Sequence, residues 1–359
     1  MERGLTLVEL MIGTALGLVM LAAAAAVLLA AGRMQRNQQL LSDANEEART
    51  ALRVVARSMS AAGAGGGVYS YLDSTLGRQQ RPALFFANGT AALHAPSMPQ
   101  QPDTLTLVRY AADRRSVLLA PLSGTNVVSV APDARQPTTP GVVPEVFQNG
   151  EAAIITNFQR AMLVTIKAKA INAALRTVDL TVNESDPSAL QDGQIPIEPG
   201  ATVFPVRVVR YSVRYVAAAG KEPERADLVE EQLDPRTFAP FSPPLVTVLA
   251  RNVEDFQVQW GYDRNDDGVA DDSGSGAYTD VGPTNASMDP GLTFARISLS
   301  ARTSTTLVSD KGELVAKEDT PFERGIDLGS AASRPPSSGY RRRVISTVVL
   351  LKNLVAPRI

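Results

Sequence analysis

The hydrophobic pattern divides the chain into three stretches. Residues 5 to 32 are almost wholly apolar, with Leu16, Leu18, Val19, Met20, Leu21, Val27, Leu28 and Leu29 around an alanine run from Ala22 to Ala26. As a helix at 1.5 Å per residue, this stretch reaches about 42 Å, enough to cross a ~30 Å hydrocarbon layer. Arg33 and Arg36 end it. Beyond them Leu41, Ala44, Ala48, Leu52, Val55, Met59 and Ala62 recur at spacings of three and four, one stripe of a helical face. Asp43, Glu46, Glu47, Arg49, Arg53 and Arg57 cover the other faces. No proline interrupts residues 5 to 62, so the pattern predicts one continuous helix of roughly 55 to 60 residues, stopped by the glycines at 63 and 65 to 67.

From residue 68 the period changes to two. Thr104–Tyr110, Ala153–Thr156, Met162–Ile166, Val178–Val182, Val206–Val216, Phe256–Tyr262, Phe294–Leu299 and Val344–Leu351 read as strands. The stretches 96–103, 132–145, 184–200, 217–243, 263–290 and 310–340 are rich in Pro, Gly, Ser and Asp and read as loops. No internal repeat or linker divides residues 63–359. The expected class is α+β: a long N-terminal helix packed on a large, mainly antiparallel β-rich head.

Composition narrows the chemistry. There is no cysteine and a single histidine, His94, within a Gly/Ala/Pro-rich stretch. Thiolate sites and disulfides are excluded, a zinc site of several His ligands is not available, and no nucleophile signature surrounds His94. The expectation is a protein that is not an enzyme. The formal net charge is −2, and Arg341, Arg342 and Arg343 form the one tight basic run, read as a solvated strand start. No direct nucleic-acid partner is expected.

Glu9 stands inside the apolar stretch. A lone carboxylate at the centre of a membrane helix costs about 2.5 to 3.5 kcal/mol on the insertion scale, so such a residue calls for a partner. A cleaved secretory signal would be shorter and more basic at its start. A plain anchor accounts for the length and not for the acid.

Gly4 followed by Leu5-Thr6-Leu7-Val8-Glu9-Leu10-Met11-Ile12 closely resembles the cleavage and methylation motif of type IV prepilins and type II secretion pseudopilins. The resemblance implies cleavage after Gly4 by a prepilin peptidase, N-methylation of Leu5, and pairing of Glu9 with the terminal amine of a neighbouring subunit during assembly. Where the family usually opens on Phe, this chain has Leu5. The organisation it implies is a leader at 1–4, a transmembrane half-helix at 5–32, an amphipathic half at 33–62 and a head at 63–359.

Three further patches resemble the PilW family of minor pilins: Ala48 to Gly63, Pro244 to Asp263 with its Val253-Glu254-Asp255 step, and Arg341 to Leu354. Residues 151–155 are a weaker echo. That family implies a type IV pilus minor pilin that helps to initiate assembly in a tip complex. Its partners would be other minor pilins, the major pilin and a tip adhesin. It would reside first in the inner membrane, head in the periplasm, and then in the pilus at the cell surface. A pseudopilin of a type II secretion system shares the motif and helix. An anchored binding or carbohydrate-active head is the third reading, and it predicts no processing at Gly4.

One candidate metal site stands apart. The run from Asp263 to Asp271 matches the start of a calcium loop, with Asp263, Asn265, Asp267 and Asp271 as side-chain ligands and the Val269 carbonyl between them. The twelfth position is Gly274 rather than Glu, leaving Asp272 or Asp280 to complete the shell. A solvated turn uses the same residue types.

Overall fold

The computed structural model describes residues 7–63, 68–73, 77–87, 89, 102–110, 114–122, 125–131, 147–158, 160–172, 177–184, 197–217, 219, 225–265, 267, 270–271, 278–279, 292–303 and 342–351. The predicted helix is a single element, α1 (Leu7–Ala61), and Gly63 takes a φ of 76° just beyond it. A left-handed glycine there closes the last turn without a Cβ clash. Of the predicted stripe, Ala48, Leu52, Val55, Met59 and Ala62 are fully buried, joined by Ala51. Leu41 and Ala44 are half-buried. Alanine at half of these buried positions lets the helix axis approach the sheets closely.

Among the described residues fifteen strands come after it: β1 (Val68–Asp73), β2 (Gly77–Pro82), β3 (Leu84–Ala87), β4 (Thr104–Tyr110), β5 (Ser116–Val117), β6 (Val127–Val130), β7 (Ala152–Thr156), β8 (Ala161–Asn172), β9 (Thr177–Val182), β10 (Thr202–Val216), β11 (Arg225–Leu233), β12 (Pro240–Ala250), β13 (Val253–Tyr262), β14 (Leu292–Arg302) and β15 (Arg342–Leu350). The last three form an antiparallel sheet in the order β13-β14-β15, and the others form a twelve-stranded sheet. Among the described strands, β1 and β8 pair in parallel. The class is α+β, as expected.

The long strand β10 organises the head. Along one edge it pairs with β7 and then β11; along the other, with β5 and then β4. A bridge between Leu118 and Val130 joins β5 to β6, so β5, β10, β7, β8, β9 and β6 close into a small barrel. Val128, Val130, Ile155, Met162, Val164, Leu180 and Val203 fill it. The alternate residues of the shared wall, Ala152, Ile154, Leu163, Phe204 and Val206, face a second and larger core with the helix and the other strands. Both faces of β7 are therefore covered, which is why all five of its residues are buried.

Two sequence expectations change. The stretch 217–243 is not all loop: it supplies β11 and the start of β12. The acids that make β11 look solvated are paired with arginines. Glu231 meets Arg210 at 2.5 Å, Glu230 meets Arg109 at 3.4 Å, and Asp227 meets Arg225 at 3.0 Å. The prolines of β12 are tolerated because it ends the strand order, where a missing N–H breaks no ladder. Likewise β10 begins at Thr202 rather than Val206. The register leaves Phe204 and Pro205 without partners between β5 and β4, so Pro205 forfeits nothing on that edge.

Asp103 links the two sheets. Only 2% exposed, it donates its N–H to the Phe256 carbonyl at 2.8 Å. Its Oδ2 accepts from the Val258 N–H at 2.8 Å and its Oδ1 from the Gly89 N–H at 3.1 Å. One residue thus takes the place of a neighbouring strand along the outer edge of β13. Replacing Asp103 with Ala strands the buried Val258 amide and the half-buried Gly89 amide and is expected to cost about 2 to 4 kcal/mol. Thermal unfolding measures the loss, and the Val258 amide should lose hydrogen-exchange protection before the rest of β13.

Candidate functional site: the N-terminal helix and the acidic loop

Among the described residues, none covers the large apolar side chains of the first half of α1. Every large apolar side chain described between Leu7 and Leu29 is exposed, Leu7 by 75% and Met20 by 74%. Apart from the helix's own neighbouring backbone, no atom of the described residues lies within 4 Å of where a Cβ would stand on Gly13, Gly17 or Gly32. Water is a poor surrounding for such a surface, at roughly 25 cal/mol per Å² of apolar area. Among the described residues this is the one helix long and apolar enough to span a membrane. Glu9 lies within its first turns, on the sequence Leu7-Val8-Glu9-Leu10. Gly4 and Leu5, the predicted processing site, lie outside the described residues, as does His94.

The second half is held by polar contacts as well as the apolar stripe. The Tyr211 hydroxyl lies 2.9 Å from Ser58 Oγ on the helix and 2.8 Å from Glu230 Oε2 on β11. Arg109 of β4 completes the set at 3.4 Å from the same carboxylate oxygen. Burial, with the Glu230 charge beside it, pushes the Tyr211 hydroxyl well above its ordinary pKa, so it stays a neutral donor. Nearer the exposed half, Glu47 accepts the Arg251 N–H at 3.2 Å. None of these partners is legible in sequence, because Ser58 and Tyr211 are 153 residues apart. The only hint is a serine interrupting the apolar face of the helix.

The acidic loop starts at the end of β13. Asp263 is buried, and its Oδ1 accepts the Asp267 N–H at 3.2 Å. The same N–H lies 3.1 Å from Asn265 Oδ1, while Asn265 Nδ2 donates to Asp267 Oδ2 at 3.1 Å. Asp271 folds back: its N–H reaches the Tyr262 carbonyl at 2.6 Å, and its Oδ2 accepts the Arg264 N–H at 2.7 Å. The structure therefore brings Asp263, Asn265 and Asp267 together around one amide and turns Asp271 toward Arg264. Val269, Asp272, Gly274 and Asp280 lie outside the described residues. Among the described residues no three His, Asp or Glu side chains gather as a metal would require. The geometry does show a turn capped by its own side chains.

A cluster that the sequence did not reveal lies at the start of β13. A register shift between Val253 and Asp255 places Glu254 at a bulge, where it meets Arg302 at 3.4 Å with both side chains buried. The neighbouring Asp255 is buried too and accepts from the Phe256 N–H and from Gln257 Nε2, each at 2.9 Å. Burial pushes its carboxyl up to about 6, and the Glu254 charge adds to the rise against those two hydrogen bonds. Burial also raises Glu184, which accepts the Thr165 N–H at 3.0 Å and faces Arg236 at 3.6 Å. Val253-Glu254-Asp255 is thus a buried bulge at the start of the small sheet, just after the chain leaves β12.

No family model matches the chain, and neither a curated protein nor a solved structure matches it.

The buried acid and the acidic loop are both open to measurement. Because the folded Asp255 carboxyl titrates above its ordinary value of 3.8, the folded state holds its proton more tightly than the unfolded chain. The stability it contributes is complete below about pH 4 and is lost as pH rises to about 6. Urea unfolding at about pH 4.5 and about pH 7.5 should show this fall, and Asp255→Asn, which keeps the acceptor and removes the charge, should flatten it. For the acidic loop, calcium binding would raise Tm with calcium concentration in a way that Asp267→Ala abolishes. A turn held only by its own hydrogen bonds leaves Tm and Trp260 emission unchanged at millimolar Ca²⁺.

Proposed function

We propose that the chain is an assembly subunit of the type IV pilin class: a minor pilin that is cleaved after Gly4, methylated on Leu5 and built into a pilus through its N-terminal helix. The observation that carries this reading is the division of α1. An uncovered apolar half runs on without a break into a half seated on the head by Ala48, Leu52, Val55 and Met59. Such a helix serves first as an anchor in the inner membrane and then as a surface for packing against other helices. Both surroundings are apolar, so moving between them carries little desolvation penalty for the apolar side chains.

Glu9 supports the same reading. A methylated amine at Leu5 and a carboxylate four residues on are each costly in a low-dielectric setting. Paired between neighbouring subunits, each offsets the other. The large head, and the PilW-like patches at 48–63, 244–263 and 341–354, favour a minor over a major subunit. Its partners would then be the prepilin peptidase, the other minor pilins, the major pilin and a tip adhesin. A type II secretion pseudopilin would use the same helix, and neighbouring genes separate the two. On this reading the chain has no catalytic site, and its acidic loop serves the shape of the head.

Mass spectrometry of the mature chain tests the proposal. The expected N-terminus is methyl-Leu5; an intact Met1, or cleavage between Ala22 and Ala31, would overturn it. Glu9→Ala should lower the sheared pilus fraction by at least about tenfold while the membrane pool persists. Equal piliation by that variant would remove Glu9 from assembly.

A further inference from the structure

Several strand edges of this fold are closed or guarded. The outer edge of β13 is taken up by Asp103, by Thr279, which exchanges N–H to carbonyl bonds of 2.8 and 2.9 Å with Trp260, and by Asp271, whose N–H reaches the Tyr262 carbonyl. On β2, Arg78 and Arg81 flank two glutamines, and β15 opens on Arg342 and Arg343. Charged side chains on an edge discourage another strand from joining it. Strand β12 differs. It pairs with β11 along one edge, and among the described residues nothing pairs with the other. Pro240, Pro243 and Pro244 blunt its first half, since each lacks an N–H. Residues 245–249, Leu-Val-Thr-Val-Leu, have neither proline nor charge.

The side chains of that segment contribute little to folding. Leu245 is 52% and Val248 49% exposed, and three residues apart on a strand they project from opposite faces. Thr247 between them is exposed as well. An unpaired edge with exposed apolar side chains on both faces has the features of a strand that receives another: its free N–H and C=O groups hold the arriving backbone, and its side chains meet alternate positions of the new neighbour. Those backbone groups select an extended strand over a helix, and the absence of charge selects an uncharged, apolar one. Strand β12 also lies along α1. The Arg251 N–H, just past its end, meets Glu47, while the row Tyr211–Glu230–Thr247 lies level with Ser58 through the Tyr211 hydroxyl. Moving forward along β12 therefore moves back along the helix, toward its apolar half.

We propose that the 245–249 edge of β12 receives an extended, uncharged strand from another pilin-type subunit of the same assembly. The class of partner rests on the assembly reading above. A subunit that packs along α1 is brought beside β12 by the alignment of the two elements. A second copy of this chain does not suit. Joining two β12 edges antiparallel about a two-fold axis would point the two apolar half-helices in opposite directions, which subunits anchored in one membrane do not permit.

The test uses the full-length chain in detergent micelles, titrated in turn against each purified pilin-type subunit encoded beside it. Leu245→Lys and Val248→Lys each put a charge on one face of the edge. One subunit should bind the wild type and lose at least about tenfold in affinity for both variants. Both variants should keep Tm, because the side chains they replace face solvent. On binding, amides within 245–249 should gain hydrogen-exchange protection, which strand addition requires and side-chain contact alone does not supply. Benzoylphenylalanine at position 247 should cross-link to that same subunit in cells, and the same probe at exposed Lys167 should not. Unchanged affinity in both variants would overturn the proposal, as would binding without protection of those amides. A Tm lowered by several degrees in both variants would also overturn it, by making the two side chains packing residues. Self-association abolished by Val248→Lys, with no binding to other subunits, would give the edge to a second copy and overturn it as well. A wild type that binds no subunit while carrying methyl-Leu5 removes this inference and leaves the assembly reading; an unprocessed N-terminus removes both.

Discussion

A helix whose first half is uncovered and apolar is held to the rest of the described chain along one seam of its second half. Here the seam is the contact of Ala48, Ala51, Leu52, Val55, Met59 and Ala62 with both sheets. Burial of Leu, Val and Met side chains contributes about 1.5 to 3 kcal/mol each, and the alanines bring the surfaces near enough for that burial to be complete. Ser58, Tyr211, Glu230 and Arg109 fix its register, since their polar groups are satisfied only in that alignment. Sliding the helix by a turn would bury those groups without partners, so the seam acts as a rigid joint.

The head answers with two cores and one shared wall. Strands β7, β8 and β10 give one face to the small barrel and the other to the large core beneath the helix. Such a wall transmits displacement well, because close-packed interiors have few voids to absorb it. The outer parts of the large sheet are drawn together by stacking: the Arg81 guanidinium lies 4.5 Å from the Tyr71 ring and 4.4 Å from Phe238, with Phe85 5.4 Å from Phe238. Asp103 does comparable work between the large sheet and β13, and the Glu254–Arg302 pair does so within the small sheet. Polar groups buried in this way add little net stability and much specificity of arrangement.

The helix was legible in the sequence to within a few residues. Periodicity, the absence of proline and the terminal glycines act locally, and a helix satisfies its backbone hydrogen bonds within itself. Strands with clean alternation, such as Thr104–Tyr110 and Phe256–Tyr262, were legible for the same local reason. Strand β11 was not, because Asp227, Glu230 and Glu231 look solvated until Arg225 on the same strand and the arginines of β4 and β10 stand beside them. The short strands β5 and β6 were equally hidden, since two to four residues carry too little pattern to distinguish a strand from a turn.

The sequence by itself determined the long helix, its change of character at Arg33, the isolated Glu9 and the β-rich nature of the chain from residue 68 onward. Each is a statement about neighbours three or four positions away, or about composition. Only the tertiary structure decided that one strand would serve two cores and that a bridge at Leu118 would close a barrel. It also decided that Asp103 would stand in for a strand and that Asp255 would lose its water. Those outcomes depend on which distant residues meet, and desolvation and pairing energies exist only once they have met.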